Sequence, residues 1–303
     1  MNGEFFGSLR IKKPLFAERQ AALLLALAHL EPAQRERCIA AGTAAQHALA
    51  DDLWCAYRGE HLAAAMLAQI EPGHMALVSP PQVARGQPRE TADHLLAAMM
   101  DHLAGAGVKL ARALLVTDHG PDAEVLIASG FRHIAELLYL VSVSGAFPTE
   151  RPHDPLDFVS YSDAEHKRLA DIVARTYEGS LDCPTVEDTR GIDDVLAGYR
   201  GAGPFDPVRW FIVRSDGADV GCLLLGQVEE DKQWELVYMG VAPEARGRDF
   251  GVAIARYAQW RTAQAGRARL VLGVDAGNAP AIAAYAAAGF VSWDHRSVFL
   301  RVF

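Results

Sequence analysis

The sequence lacks the features that would mark a membrane or secreted protein. Its apolar stretch at residues 21–30 is much shorter than the roughly 20 residues that a spanning helix needs. The N-terminal residues contain no basic segment leading into an apolar core, so they do not resemble a secretory signal. We therefore expect a cytoplasmic protein that has no membrane partner.

Cysteine is scarce, and its spacing argues against the common metal and disulfide frameworks. The four cysteines form no Cys-x-x-Cys pair and no zinc-spaced cluster with histidine: Cys38, Cys55, Cys183 and Cys222. Reduced thiols are the simplest interpretation for a cytoplasmic protein. The sequence also contains no Gly-x-Ser-x-Gly motif of the kind that carries a hydrolase nucleophile. It accordingly predicts neither a metal site nor a serine nucleophile.

Positive charge is also in short supply. The chain has 29 Lys and Arg against 38 Asp and Glu, which gives a formal net charge of −9. A nucleic-acid partner requires a basic face, so we expect none, although a small anion could still be held locally. Half of the 303 residues are hydrophobic, which supports a large core. At about 100–200 residues per domain, this length predicts two domains.

The two halves of the chain repeat one order of patterns. Each half shows helical segments, a hairpin, an amphipathic helix, a short strand, another helix and a final strand. Between the halves lies a polar stretch with three prolines, which predicts a linker at 147–155. We therefore expect domains at residues 1–146 and 156–303.

A gapless alignment supports an internal duplication. Residues 119–131 align on residues 278–290, at an offset of 290 − 131 = 159. Two tandem copies of one mixed α/β unit explain this match better than chance does. The copies differ where chemistry would be carried, because Leu126 stands at the position of Tyr285. Near the first copy's turn, Pro88 removes an N–H group. We expect no catalysis in the first half.

The most informative stretch is the turn Arg246-Gly-Arg-Asp-Phe-Gly251, which follows a predicted strand and opens a predicted helix. A helix N-terminus presents unpaired N–H groups and the positive end of its dipole, which together suit a phosphate. The turn has no Gly-Lys-Ser/Thr of a P-loop, and its glycine spacing does not fit a dinucleotide fingerprint. Taken alone, the residues leave open a surface turn with two solvated arginines.

The second half resembles the GNAT family of acetyl-CoA-dependent N-acetyltransferases. The resemblance rests on Met239-Gly-Val241, Pro243, the turn at 246–251, and the segment from Asn278 through Tyr285 to Gly289-Phe290. It covers about residues 155–303. With the degenerate first half, the arrangement is similar to the two-copy, mycothiol-synthase branch of the family. The resemblance implies two tandem GNAT folds and acetyl-CoA as cosubstrate.

The resemblance also implies a cofactor site. Met239 and Val241 would pair through their backbone with the pantetheine amide, as an added strand would. Asn278 would cap its helix or touch the cofactor, and the sequence favours the cap. The residues of the pyrophosphate cradle would then be Arg246, Gly247, Arg248, Asp249, Gly251 and Val252.

Asp249 departs from the family pattern, which usually has glycine at that position. A carboxylate pointing into the turn would repel pyrophosphate. We expect it instead to cap the following helix while its backbone N–H still faces the phosphate.

Two residues are candidates for proton transfer. Glu235 lies in an apolar strand, where it is either an outward-facing residue or a base that takes the proton from the acceptor amine. Tyr285 lies on a helix built of alanine, where it is either an aromatic wedge or, as the resemblance implies, the acid that protonates the leaving thiolate. These roles imply transfer of an acetyl group to a primary amine by direct attack in a ternary complex.

The second domain could enclose the site, so we expect a small-molecule amine acceptor in a groove between the halves. A non-catalytic acyl-CoA sensor or docking module remains the alternative, and Asp249 is the residue that favours it. The sequence leaves the oligomeric state undetermined.

Overall fold

The computed structural model describes residues 9–44, 52–152, 155–182, 190–228 and 233–303. Cys183 lies outside these residues, whereas Cys38, Cys55 and Cys222 carry free thiols. Among the described residues, none of the helices combines the length and the apolar character that a membrane crossing requires.

The chain packs as two compact units, and their division does not follow the halves of the sequence. One unit comprises Met1–His133 and Val298–Phe303, and the other comprises Ile134–Ser297. The division falls before the linker predicted at 147–155, of which residues 153–154 lie outside the described part. The predicted domain boundaries therefore stay a prediction.

The first unit is built on a mixed sheet with helices beside it. Its strands run in the order β1-β2-β3-β4-β6, followed by the end of β13, and β5 pairs with β3. The pairs from β1 to β4 are antiparallel, and β4 pairs with β6 in parallel. Its elements are β1 (Leu9–Lys12), α1 (Arg19–Ala26), α2 (Pro32–Ala44), β2 (Leu53–Arg58), β3 (His61–Glu71), β4 (Met75–Val78), β5 (Gln82–Val83), α3 (Glu90–Gly105), β6 (Leu110–Leu115), α4 (Pro121–Ala128) and the last residues of β13 (Val291–Val302).

The second unit repeats this pairing scheme. Its strands run in the order β8-β9-β10-β11-β12-β7-β13, with β8 to β11 antiparallel and β11 parallel to β12. Its elements are β7 (Arg132–Val143), β8 (Asp157–Ser160), α5 (His166–Tyr177), α6 (Ile192–Arg200), β9 (Trp210–Ser215), β10 (Ala218–Val228), β11 (Gln233–Val241), α7 (Phe250–Gln264), β12 (Arg269–Asp275), α8 (Ala279–Ala287) and β13. The shared order of antiparallel and parallel pairs confirms the predicted mixed α/β class.

The exchange of terminal strands explains the uneven division. β7 comes from the first half of the sequence, yet it pairs antiparallel with β12, from Leu137 opposite Asp275 to Val143 opposite Arg269. The end of β13 comes from the second half and lies beside β6. Such pairing joins residues that are far apart in sequence, so no local pattern of residues predicts it.

The sheet of the second unit is buried on both faces. On one face, Leu236 of β11 packs with Ile254 of α7 in the larger apolar cluster. On the other face, Val237 packs with Leu169 of α5. Because side chains alternate along a strand, Glu235 lies on the α5 face. Side chains of β11 thus reach both helical layers.

Several local predictions are confirmed, and two short strands were missed. The hairpin predicted in the first half is β2 and β3, and the amphipathic helix predicted after it is α3. β1 and β5 were not predicted. β1 alternates apolar and basic residues, but it has only four residues and pairs at the edge of the sheet, with Leu9 opposite Arg58. β5 has only two residues.

Candidate active site

β11 carries an irregularity just after Glu235. Glu235 pairs with Gly226 of β10, and Leu236 with Leu225, but the next residue of β10, Leu224, pairs with Tyr238. Val237 is therefore an extra residue, a β-bulge. The bulge places both Val237 and Tyr238 on the α5 face and returns Met239 to the α7 face.

Beyond Glu235, β11 separates from its parallel neighbour. Within the described residues, β11 pairs with β12 at two positions, where Trp234 lies opposite Leu270 and Glu235 opposite Val271. The later part of β11, including Met239 and Val241, continues to pair with β10 on its other side. The strands thus open toward their carboxyl ends, and one edge of β11 is left to accept a further extended chain.

The turn after β11 presents a row of backbone donors. The N–H of Arg246 donates to Pro243, and the N–H groups of Val252 and Ala253 donate to the carbonyl of Asp249. Between them, the five N–H groups of residues 247–251 have no acceptor among the described residues. The N–H groups of residues 249–251 are first-turn donors of the kind that an α-helix leaves unpaired, at the positive end of the α7 dipole, and those of residues 247 and 248 belong to the preceding turn. The geometry suits a phosphate oxygen.

Asp249 occupies the N-cap position of α7, but its side chain accepts no capping hydrogen bond. The expected capping bond is therefore absent, because the backbone conformation of Asp249 does not suit it. Asp249 is left-handed, with φ 56° and ψ 15°, whereas a capping side chain normally sits on an extended backbone. The left-handed region favours glycine, which accounts for the family's preference there. The carboxylate is exposed.

The two arginines of the turn differ in what they contact. Arg248 is exposed, lies 4.5 Å from the ring centre of Phe250 and pairs loosely with Asp216 at 3.7 Å. Arg246 instead donates to backbone carbonyls, including that of Val241 at 3.1 Å. Arg248 is thus the arginine whose charge is open to a ligand.

The predicted glycines serve different purposes. Gly247 has φ +75° and open space around it, so it shapes the turn. Gly251 permits close packing, since a Cβ there would lie 3.4 Å from the Cβ of Ala284 in α8 and 3.8 Å from the Cε of Met239. Val252 packs against the same apolar cluster as Met239.

α8 begins and ends as the sequence predicts. Asn278 caps it by accepting from the N–H of Ala281 at 3.3 Å, which confirms the predicted cap. Tyr285 is 5% exposed and packs edge to face on Phe290, with ring centres 5.5 Å apart. Burial, and to a lesser degree the charge of Asp182, raises the pKa of Tyr285. Its hydroxyl has no hydrogen-bond partner among the described residues.

Asp182 is a residue that sequence reasoning missed. It follows α5, and its Oδ1 accepts the backbone N–H of Asp275 at 3.0 Å. Burial, together with the nearby charge of Asp275, raises the pKa of the Asp182 carboxyl group. No motif surrounds Asp182, so only folding reveals that it lies near Tyr285.

The first copy differs from the second at its turn. α3 begins at Glu90 after Pro88, and Arg89 forms an ion pair with Glu124 of α4 at 2.5 Å. Leu126, at the position of Tyr285, is fully buried. The first copy thus has an apolar side chain at the position of Tyr285, and Arg89 of its turn is engaged in an ion pair.

Residues 173–290, which include the opened strand, the turn and α8, match the model of the acetyltransferase (GNAT) family. They form a GNAT acetyltransferase domain. No curated protein matches the chain.

The similarity to solved structures extends beyond residues 173–290 and covers nearly the whole chain. A GCN5-related N-acetyltransferase from Sphaerobacter thermophilus is 14% identical with a TM-score of 0.62, over 97% of this chain and 95% of that one. A tandem GNAT protein from the clavulanic acid biosynthesis pathway is 16% identical with a TM-score of 0.54, over 97% and 98%. A glucosamine N-acetyltransferase region of a fungal multi-domain β-N-acetylglucosaminidase is 13% identical with a TM-score of 0.65, over 97% of this chain and 38% of that one. At these identities the likeness concerns the fold.

Proposed function

We propose that the chain transfers an acetyl group from acetyl-CoA to a primary amine of a small molecule. The observation that carries this proposal is the row of five backbone N–H groups at residues 247–251, which have no acceptor within the described chain. A pyrophosphate would supply acceptors for them at the positive end of α7. The exposed Arg248 adds a cation beside the row.

The opened edge of β11 would hold the rest of the cofactor. The pantetheine amides would pair with the backbone of Met239 and Val241, where β12 has already separated. Asn278 belongs to the proposed site through its position at the start of α8. The backbone donors and Arg248 suit the negative charge of the pyrophosphate, and the proposed transfer uses no metal.

The gap between β11 and β12 would also connect the two faces of the sheet. Tyr285 lies on the α7 face, and Glu235 lies on the α5 face. An acetyl-CoA entering from the α7 side would meet an amine arriving from the α5 side at the opening between β11 and β12. This geometry supports direct attack in a ternary complex, in which proximity supplies much of the rate.

The proposed proton transfers follow from this placement. Glu235 takes a proton from the ammonium, directly or through water, and the free amine attacks the thioester carbonyl. The tetrahedral intermediate collapses with cleavage of the carbon–sulfur bond, and Tyr285 protonates the leaving thiolate. The nitrogen gives up its second proton, which returns through water to the Tyr285 phenolate, and Glu235 releases the first proton to solvent. The sulfur would supply an acceptor for the hydroxyl of Tyr285, which has no partner among the residues that the structure describes. Residues 1–146 would be a degenerate copy without catalysis, in an arrangement like the mycothiol-synthase branch.

A free-thiol release assay with acetyl-CoA and a panel of small amines tests this function. We expect turnover with at least one amine, and a loss of at least about a hundredfold in kcat for Tyr285→Phe and for Glu235→Gln. The matched control is Tyr139→Phe, which removes a hydroxyl from the same unit away from the turn. Undiminished turnover in the Tyr285→Phe, Glu235→Gln double variant would contradict the proposed mechanism.

A second candidate function is a non-catalytic acyl-CoA sensor. The exposed carboxylate of Asp249, within the row of donors, favours it because that charge opposes pyrophosphate. Calorimetric binding of acetyl-CoA without turnover on any amine would support the sensor. Absence of binding would exclude both functions.

A further inference from the structure

Arg246 is committed to the protein's own backbone. Its Nε donates to the carbonyl of Val241 at 3.1 Å, one terminal nitrogen to that of Gly179 at 3.2 Å, and the other to that of Thr176 at 3.0 Å. All three nitrogens of the planar guanidinium thus have protein acceptors. Three of its five N–H groups are therefore committed to the protein, and these bonds, rather than a ligand, fix the position of the guanidinium.

The three carbonyls belong to two elements that need such a donor. Thr176 and Gly179 lie at the C-terminal end of α5, where carbonyls lack intrahelical partners and carry the negative end of the dipole. A cation there is doubly favourable, because it satisfies the carbonyls and opposes the dipole. Val241 ends β11, immediately before the turn that would hold the cofactor.

The local packing is shaped around this bridge. Gly179 has φ +61°, and a Cβ at that position would lie 3.6 Å from the guanidinium of Arg246. Gly240 brings β11 against α5 so closely that a Cβ there would lie 2.5 Å from the Cβ of Thr176. Gly240 therefore permits the approach that Arg246 then fixes, and Gly179 supplies the left-handed backbone after α5.

The segment that Arg246 holds leads to the reacting groups. From Gly179 the chain runs to Asp182, whose Oδ1 accepts from Asp275 at the end of β12. The charge of Asp182 also contributes to the raised pKa of Tyr285. Arg246 thus connects the cofactor turn with the segment that lies near the proposed acid.

We propose that Arg246 is a positioning residue that fixes residues 176–182 to the end of β11, and that it is not a phosphate ligand. This inference rests on the proposed function only in naming the turn as the CoA site. It reassigns the role expected for Arg246 from the sequence and leaves phosphate binding to the backbone donors and Arg248. Because Arg246 orders residues 176–182, and Asp182 of that segment lies near Tyr285, loss of this order should weaken the binding of the amine substrate.

The test compares Arg246→Lys and Arg246→Gln with wild type, with Arg256→Gln as the matched control. Arg256 is an exposed arginine of α7, so its variant loses the same charge without touching the bridge. Amide hydrogen exchange of residues 176–182 is measured without ligand, and the Kd for CoA is measured by calorimetry. Thermal unfolding establishes that each variant is folded.

We expect both Arg246 variants to increase exchange in residues 176–182 by at least about tenfold, as the loss of hydrogen bonds to a charged group implies. Lysine does not rescue it, because a compact ammonium cannot reach three separated carbonyls. The Kd for CoA changes by less than about threefold in the lysine variant. Where an amine substrate is found, its KM rises in both variants.

Unchanged exchange in residues 176–182 of both variants would overturn the proposal, whatever happens to CoA binding. A glutamine variant that loses CoA affinity more than about tenfold, with full recovery in the lysine variant, would overturn the exclusion of a phosphate contact. Failure of wild type to bind CoA would remove the proposed function and leave the exchange result standing, so the two failures are distinguishable.

Discussion

Asp249 offers the sharpest perturbation of the cofactor turn, because it combines a strained backbone with an exposed charge. Its φ of 56° lies in the left-handed region, which costs a residue with a Cβ about 1–2 kcal/mol. Asp249→Gly removes that cost but adds about 0.5–1 kcal/mol of chain entropy in the unfolded state. We therefore expect the glycine variant to be more stable by about 0–1.5 kcal/mol, since no capping bond is lost.

The charge of Asp249 should act on affinity. A phosphate bound to the neighbouring N–H groups would lie at roughly 6 Å from the carboxylate, where each pair of unit charges costs about 0.7 kcal/mol in water. Two phosphate charges give about 1.4 kcal/mol, or about a tenfold change in Kd. Asp249→Asn removes the charge and keeps the backbone conformation, so it separates this effect from strain.

Calorimetry with CoA at low and high salt measures the effect. We expect Asp249→Asn and Asp249→Gly to bind CoA about five- to tenfold more tightly at low salt, with the gain shrinking as salt screens the charges. Thermal unfolding should show a gain for the glycine variant alone. An asparagine variant that binds CoA no better than wild type at low salt would refute the reasoning about the carboxylate.

Three further substitutions test the remaining parts of the site. Tyr285→Phe should leave the Kd for CoA and the melting temperature nearly unchanged while kcat falls by about 10²–10⁴, because the hydroxyl has no partner among the described residues; a large loss of stability would contradict this. Gly240→Ala should destabilise the fold by about 1–3 kcal/mol in denaturant unfolding, since its Cβ would lie 2.5 Å from that of Thr176, and a neutral effect would contradict the packing. Folding raises the pKa of the Asp182 carboxyl group above its ordinary value of 3.8, so the folded state binds the carboxyl proton more tightly than the unfolded chain does. The free energy of unfolding therefore falls as the pH rises from 3.8 through the folded-state pKa. Asp182→Asn keeps the acceptor for Asp275 and should raise the melting temperature near neutral pH but not well below pH 3.8; an equal gain at both would refute the linkage.

The sequence was informative where chemistry is local. A cap such as Asn278 acts on its own helix, and the strand, turn and helix around residues 241–252 follow from hydrophobic pattern and turn residues. These features depend on neighbours within a few positions, so they could be predicted without the fold.

The sequence was silent where residues distant along the chain meet. The bonds from Arg246 to Thr176 and Gly179 join positions about 70 residues apart, and no motif distinguishes them from a phosphate contact. The place of Asp182 near Tyr285 depends on how the segment after α5 returns to β12. The left-handed backbone at Asp249 was also hidden, since aspartate more often signals a side-chain cap.

A crystal structure with CoA bound tests the central claim most directly. We predict pyrophosphate oxygens within about 2.7–3.2 Å of backbone nitrogens among residues 247–251, and the sulfur beside the hydroxyl of Tyr285. The guanidinium of Arg246 should remain on the carbonyls of Thr176, Gly179 and Val241. CoA bound elsewhere, or a pyrophosphate held by side chains with these five N–H groups unused, would contradict the account.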